Sequence, residues 1–126
     1  MIAIAIDKSK LTAAFKRMRT FGILARQNFM CCQTCGCAEV DNIVDAKRAK
    51  KKKEVPLGYC FYHAQDADNL RRTGKVFLAY GAIDDNGDST AVGHIICECL
   101  RQCGLEFKWD GSRWTRIEVI VLKGDE

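Results

Sequence analysis

The chain has 126 residues, 48% hydrophobic and 29% charged, with one proline and eight cysteines. This fits one globular domain, and no apolar run approaches the roughly 20 residues that a membrane-spanning helix requires. The net charge is +4, but Lys47, Arg48, Lys50, Lys51, Lys52 and Lys53 supply six of 20 basic residues; without them 14 basic face 16 acidic residues, or −2, so the chain carries one basic tract and is not broadly basic.

Residues 1–6 read as a short apolar strand or an ordered leader. They are too short, and lack the basic flank, to be a signal peptide. A reducing cytoplasmic setting is therefore expected, where clustered cysteines serve metal or redox chemistry more often than structural disulfides. Asp7 or Ser9 caps a helix over 11–20 with an inner stripe of Leu11, Ala14, Phe15 and Met18, and Gly22 stops it. Residues 23–29 read as a strand feeding the next segment. Gln27 and Asn28 on it either orient ligands or sit at the strand's edge.

That next segment, Phe29-Met30-Cys31-Cys32-Gln33-Thr34-Cys35-Gly36-Cys37, holds four of the eight cysteines. Two thiolates spaced as Cys32-x-x-Cys35 can grip one ion where the backbone turns tightly, and Gly36 would tolerate a positive φ there. Structural zinc takes four ligands. Cys31 and Cys37 flank the pair, but four ligands from so short a stretch would strain the backbone, so a distant ligand is expected.

A helix over 38–49 follows, with Val40, Ile43, Val44 and Lys47 at helical spacing; the lysines and Pro56 end it in a basic loop over 47–56. The tract is either a solvated charge run or a contact for nucleic acid, nucleotide or an acidic partner. Residues 58–63 form a short aromatic strand ending at His63. Asp66 caps a brief helix closed by Gly74, and 75–82, apolar on both faces, is the central strand. The acidic loop 84–88 lacks the spacing and terminal glutamate of a calcium loop.

The helix over 89–103 turns Val92, Ile95, Ile96, Cys99, Leu100 and Cys103 inward, with His94, Cys97, Glu98 and Arg101 outward. Residues 105–109 and 116–121, joined through Asp110-Gly111, form a terminal β-hairpin. The fold class expected is α+β: a single domain with a mixed or antiparallel sheet of four to five strands, two main helices and a C-terminal hairpin.

His63 is the leading distant ligand, because a strand end leaves its side chain free to turn to a neighbouring loop. Cys60 is disfavoured, since residues an odd number apart on a regular strand face opposite sides. Cys37, Cys99 and Cys103 remain candidates, although buried cysteine also packs as a small hydrophobe.

The segments Arg26-Gln27-Asn28-Phe29, Cys31-Cys32-Gln33-Thr34-Cys35-Gly36, Gly58-Tyr59-x-Phe61-Tyr62-His63-x-Gln65-Asp66 and Trp109-Asp110-Gly111 resemble an uncharacterised bacterial domain family over about residues 11–121. The resemblance implies an α+β domain in which Cys31, Cys32, Cys35 and His63 cluster, and it brings no activity with it.

Three function classes follow. One is a zinc-stabilised binding or regulatory protein, for instance a virus-encoded inhibitor or adaptor, working on a protein partner through a surface away from the metal. Another is an enzyme, by thiol redox or as a zinc hydrolase. The redox form lacks a proline beside its motif, and the hydrolase lacks a His-x-Glu motif. The third is nucleic-acid or nucleotide binding by the lysine tract.

Overall fold

The computed structural model describes residues 8–50, 55–84 and 87–121. Its elements in chain order are α1 (Ser9–Thr20), β1 (Ile23–Arg26), α2 (Gln33–Ala49), β2 (Gly58–Phe61), α3 (Ala64–Thr73), β3 (Lys75–Ala82), α4 (Ser89–Gln102), β4 (Glu106–Lys108) and β5 (Ile117–Ile120). The five strands form one mixed sheet in the order β1-β2-β3-β5-β4. Only β1 and β2 run parallel, with Ile23 opposite Gly58; the other pairs are antiparallel. A parallel pair needs a crossover connection, and α2 supplies it.

The period-two alternation of the strands sorts the apolar residues onto two faces. Ile23, Ala25, Cys60, Tyr62, Val76, Leu78, Ile117 and Val119 face a core closed by α1, α3 and α4. Leu24, Phe61 and Ala79 face the other way, under Val40 and Val44 of α2. This is why β3, apolar on both faces in sequence, lies at the middle of the sheet. Phe15 and Tyr62 are fully buried and meet edge to face at 5.9 Å. Burying each such aromatic contributes about 1.5–3 kcal/mol.

The inner stripe of α1 and the span of α4 follow the sequence periodicity. Several details do not. The strand expected over 23–29 stops at Arg26, and α2 begins five residues before the expected helix, taking Cys35, Gly36 and Cys37 into its first turns. Cys97 is buried, not outward. The cap of α3 is His63, with Asp66 three residues inside the helix. The hairpin strands are shorter than expected, because the loop between them is pinned to β3: Trp109 Nε1 donates to the Tyr80 hydroxyl at 2.9 Å, which donates to Ser112 O at 2.8 Å. The expected leader over 1–6 and Lys51, Lys52 and Lys53 lie outside the described residues.

Cys60, Cys97 and Cys99 are all buried in the main core. Burial pushes the Cys97 thiol up to about 11 and raises Cys60 as well. An unfolded thiol titrates near 8.5. A group whose folded pKa is raised contributes stability that is complete below the unfolded value and is lost as pH climbs toward the folded one. Under reducing conditions the denaturation midpoint should therefore fall steadily from about pH 8.5 to about pH 11. A midpoint that stays flat across that range, followed by circular dichroism, would contradict the burial of these thiols.

Candidate metal centre

The cysteine stretch is delivered by two residues in the left-handed region, Asn28 at φ 49° and Met30 at φ 64°. Non-glycine residues adopt this conformation at a cost of about 1–2 kcal/mol each, so something must hold them. Two hydrogen bonds do so: Phe29 N donates to Tyr62 O at 2.8 Å, and Ala64 N donates to Met30 O at 3.0 Å. Gln27 adds a strap, accepting from the Tyr62 hydroxyl at 3.0 Å and donating to Thr12 Oγ1 at 3.1 Å. Gln27 thus fastens β1 to α1 and β2 instead of facing the thiols.

Cys32 is the N-cap of α2, and its carbonyl accepts from Gly36 N at 2.9 Å. The turn is therefore a helix start, and Gly36 does not need a positive φ. It is buried where α2 crosses β2, and a Cβ there would stand 2.5 Å from the Phe61 ring. Glycine is required by that close approach, which sets how deep the helix start sits on the sheet.

This geometry brings Cys31, Cys32 and Cys35 together, with all three sulfurs within 4.8 Å of one another. The Cys31 and Cys32 sulfurs are 3.9 Å apart. Three thiolates on a tetrahedral zinc with bonds of about 2.3 Å would stand about 3.8 Å apart. The trio is thus spaced to hold a metal ion with little rearrangement. It is also accessible: Cys31 is exposed, and Cys32 and Cys35 are partly so.

The electrostatics of the trio point the same way. The Cys35 backbone N–H faces the Cys32 sulfur without closing a cap hydrogen bond and, with the Cys35 and Cys31 thiols, holds Cys32 below the usual thiol range. Cys35 is pushed up to about 11 by its hydrogen bonds to the Cys31 and Cys32 thiols and by their charge. One proton leaves easily and the next is held back by the negative charge already present. A divalent cation cancels that charge and lets all three act as thiolates.

His63 is buried at the start of α3 in a capping box, its Nδ1 accepting from Asp66 N at 3.3 Å while its own backbone N donates to Asp66 Oδ2 at 3.2 Å. Its Nε2 lies 3.2 Å from the same carboxylate oxygen. Among the described residues the thiol trio has no fourth His, Cys, Asp or Glu within the same spacing, so His63 is adjacent through the Met30–Ala64 hydrogen bond but turned to Asp66. Asp66 in turn is gripped by Arg116, whose two terminal nitrogens reach its oxygens at 3.2 and 2.5 Å. Arg116 also donates to Phe77 O, and its Nε is buried without a partner among the described residues. Nothing in the sequence singles out Arg116, a lone cation at the head of an alternating strand fifty positions from Asp66.

The other cysteines lie elsewhere. Cys37 is half-buried against Tyr59, and burial raises its thiol. Cys60 and Cys99 are in the core, and Cys103 packs at its margin. His94 is exposed and meets the Trp109 ring at 5.0 Å. Of the basic tract, Lys47 and Arg48 form the last turn of α2 and Lys50 is its C-cap.

The fold and site define a small α+β domain with a three-thiol corner at a helix start. The chain belongs to a family described as a domain of unknown function, DUF6891, whose model matches residues 5–123. No curated protein and no solved structure matches the chain. Among the described residues no helix is long and apolar enough to cross a membrane.

Proposed function

We propose that Cys31, Cys32 and Cys35 bind one zinc ion that stabilises the domain, with His63 as the fourth ligand. The observation that carries this reading is the approach of three sulfurs to within 4.8 Å at the start of α2. Bringing His63 in requires its imidazole to turn from Asp66. That exchange leaves no buried charge unpaired, because Asp66 keeps Arg116 and the His63 backbone N–H. A metal here ties the β1–α2 connection to the start of α3, adding to the Phe29–Tyr62 and Met30–Ala64 hydrogen bonds between these segments.

Three thiolates donate enough charge to weaken zinc as a Lewis acid, and a site closed by a fourth protein ligand has no position for a reacting water. The domain is therefore best read as a zinc-stabilised binding or regulatory protein of a reducing compartment, an inhibitor or adaptor acting through a surface away from the metal. The basic tract from Lys47 to Lys53 is the candidate contact for acidic partners, nucleic acid included.

X-ray absorption at the zinc edge tests the closed site. Three sulfur neighbours near 2.3 Å and one nitrogen near 2.0–2.1 Å are expected. An oxygen neighbour in place of the nitrogen would overturn closure and move the reading to a hydrolytic enzyme. His63→Ala should replace the nitrogen signal and leave the sulfurs.

A further inference from the structure

We propose that a recess beside β1 binds a small phosphorylated molecule of nucleotide size. The proposal goes beyond the zinc reading and does not rest on it. The recess has a volume of about 430 Å³, within the roughly 300–1,000 Å³ of small-molecule sites. It opens along β1, the end strand of the sheet, and draws residues from α1 and from the last turns of α2. From Cys35 to Lys47 the helix runs about 18 Å at 1.5 Å per residue, so the Lys47 end of the recess stands well away from the thiol corner, while Arg26 lies at the end nearer to it.

Arg19, Arg26 and Lys47 converge on it, and none of its described lining residues is acidic. Among the described residues the side chains of Arg26 and Lys47 have no ion-pair or hydrogen-bond partner, their backbones being paired in β1 and α2. Arg19 is held at the rim by one bond, from Nε to Ala25 O at 3.1 Å, which leaves its terminal nitrogens for a ligand. Three like charges gathered with no carboxylate among the described lining residues repel one another, and a bound anion turns that repulsion into attraction. Guanidinium groups match the paired oxygens of a phosphate in a way that suits this role.

Apart from Thr20, the remaining side chains of the wall are apolar, Leu24, Val55 and Pro56 among them. An anionic head against the cations and a flat, weakly polar body against this wall together describe a nucleoside phosphate. Of the lysine tract, Lys47 alone lines the recess among the described residues.

Calorimetric titration of the full chain as purified, at low salt, provides the test, with ADP, inorganic pyrophosphate and adenosine as probes. ADP should bind one-to-one, pyrophosphate at least tenfold more weakly, and adenosine not at all. Arg26→Gln with Lys47→Gln should weaken ADP at least tenfold at an unchanged melting midpoint, whereas Lys50→Ala to Lys53→Ala together should leave it within about twofold. No saturable ADP binding overturns the site, and so does equal binding by the recess variant. Loss of ADP in the tract variant, or its displacement by a single-stranded oligonucleotide, would assign the affinity to a polymer site instead. Pyrophosphate binding as tightly as ADP would overturn the role of the apolar wall. If the recess variant melts early, amide NMR shifts on adding ADP to the parent decide: changes confined to β1 and the end of α2 support the site, and changes elsewhere overturn it.

Discussion

Cys32→Ser is expected to empty the proposed zinc site and lower the melting midpoint by about 10 °C or more. A ligand that binds only the folded chain stabilises it by an amount set by its saturation, about 4 kcal/mol at a thousandfold excess over Kd. A domain of this size shifts by a few degrees per kcal/mol. Serine keeps the volume of cysteine and part of its polarity, so the loss measures the missing thiolate and not a packing defect. Cys35→Ser should behave alike, since its sulfur belongs to the same trio.

The informative control is Cys37→Ser. In sequence it lies only two residues beyond Cys35, but the helix carries its thiol round to Tyr59. It should keep full zinc content, with a midpoint change of no more than about 1 kcal/mol's worth, as for an ordinary substitution. Metal analysis of the three purified variants beside the parent settles the matter. Full zinc with unchanged melting in Cys32→Ser would remove the metal reading, and zinc loss in Cys37→Ser would mean that the ligand set is wrong.

Local spacing made Cys32 and Cys35 legible as a pair, Cys31 joined them only through the family resemblance, and what obscured the geometry was the meaning of glycine. Gly36 invites the reading of a tight turn with positive φ. The chain instead starts a helix there, and the glycine answers to Phe61, twenty-five positions away. The helices α1 and α4 were legible because a 3.6-residue stripe is a one-dimensional record of burial. The sheet face of Cys97 was not, because a helix packed between a sheet and another helix buries more than one stripe. His63 shows the same limit. Its position at a strand end is local, but its hydrogen bonds depend on Asp66, and those of Asp66 on Arg116, a partner that only the sheet brings near. Cap, carboxylate and guanidinium form one unit that no spacing rule connects.

That unit supports the second large effect, expected for Asp66→Ala. The substitution removes the acceptor for the His63 backbone N–H, and with it the carboxylate that holds both terminal nitrogens of Arg116. Arg116 is then left partly buried with the Phe77 carbonyl as its remaining described partner and with Nε already unpaired. Breaking a buried pair from one side costs about 3–5 kcal/mol, because an uncompensated charge stays behind; the lost capping box adds about 1 kcal/mol. Together these predict a melting midpoint lower by roughly 10–20 °C. Removing both charges should restore much of it: Asp66→Leu with Arg116→Met leaves no orphan, and apolar replacements of buried pairs are often close to neutral. Zinc content provides the second readout. The imidazole of His63 is freed from Asp66, not removed, so folded Asp66→Ala should still carry one zinc, whereas His63→Ala should bind it more weakly. A shift of only a degree or two in Asp66→Ala, with no rescue in the double variant, would show that the Asp66–Arg116 pair contributes nothing to holding α3 against the sheet.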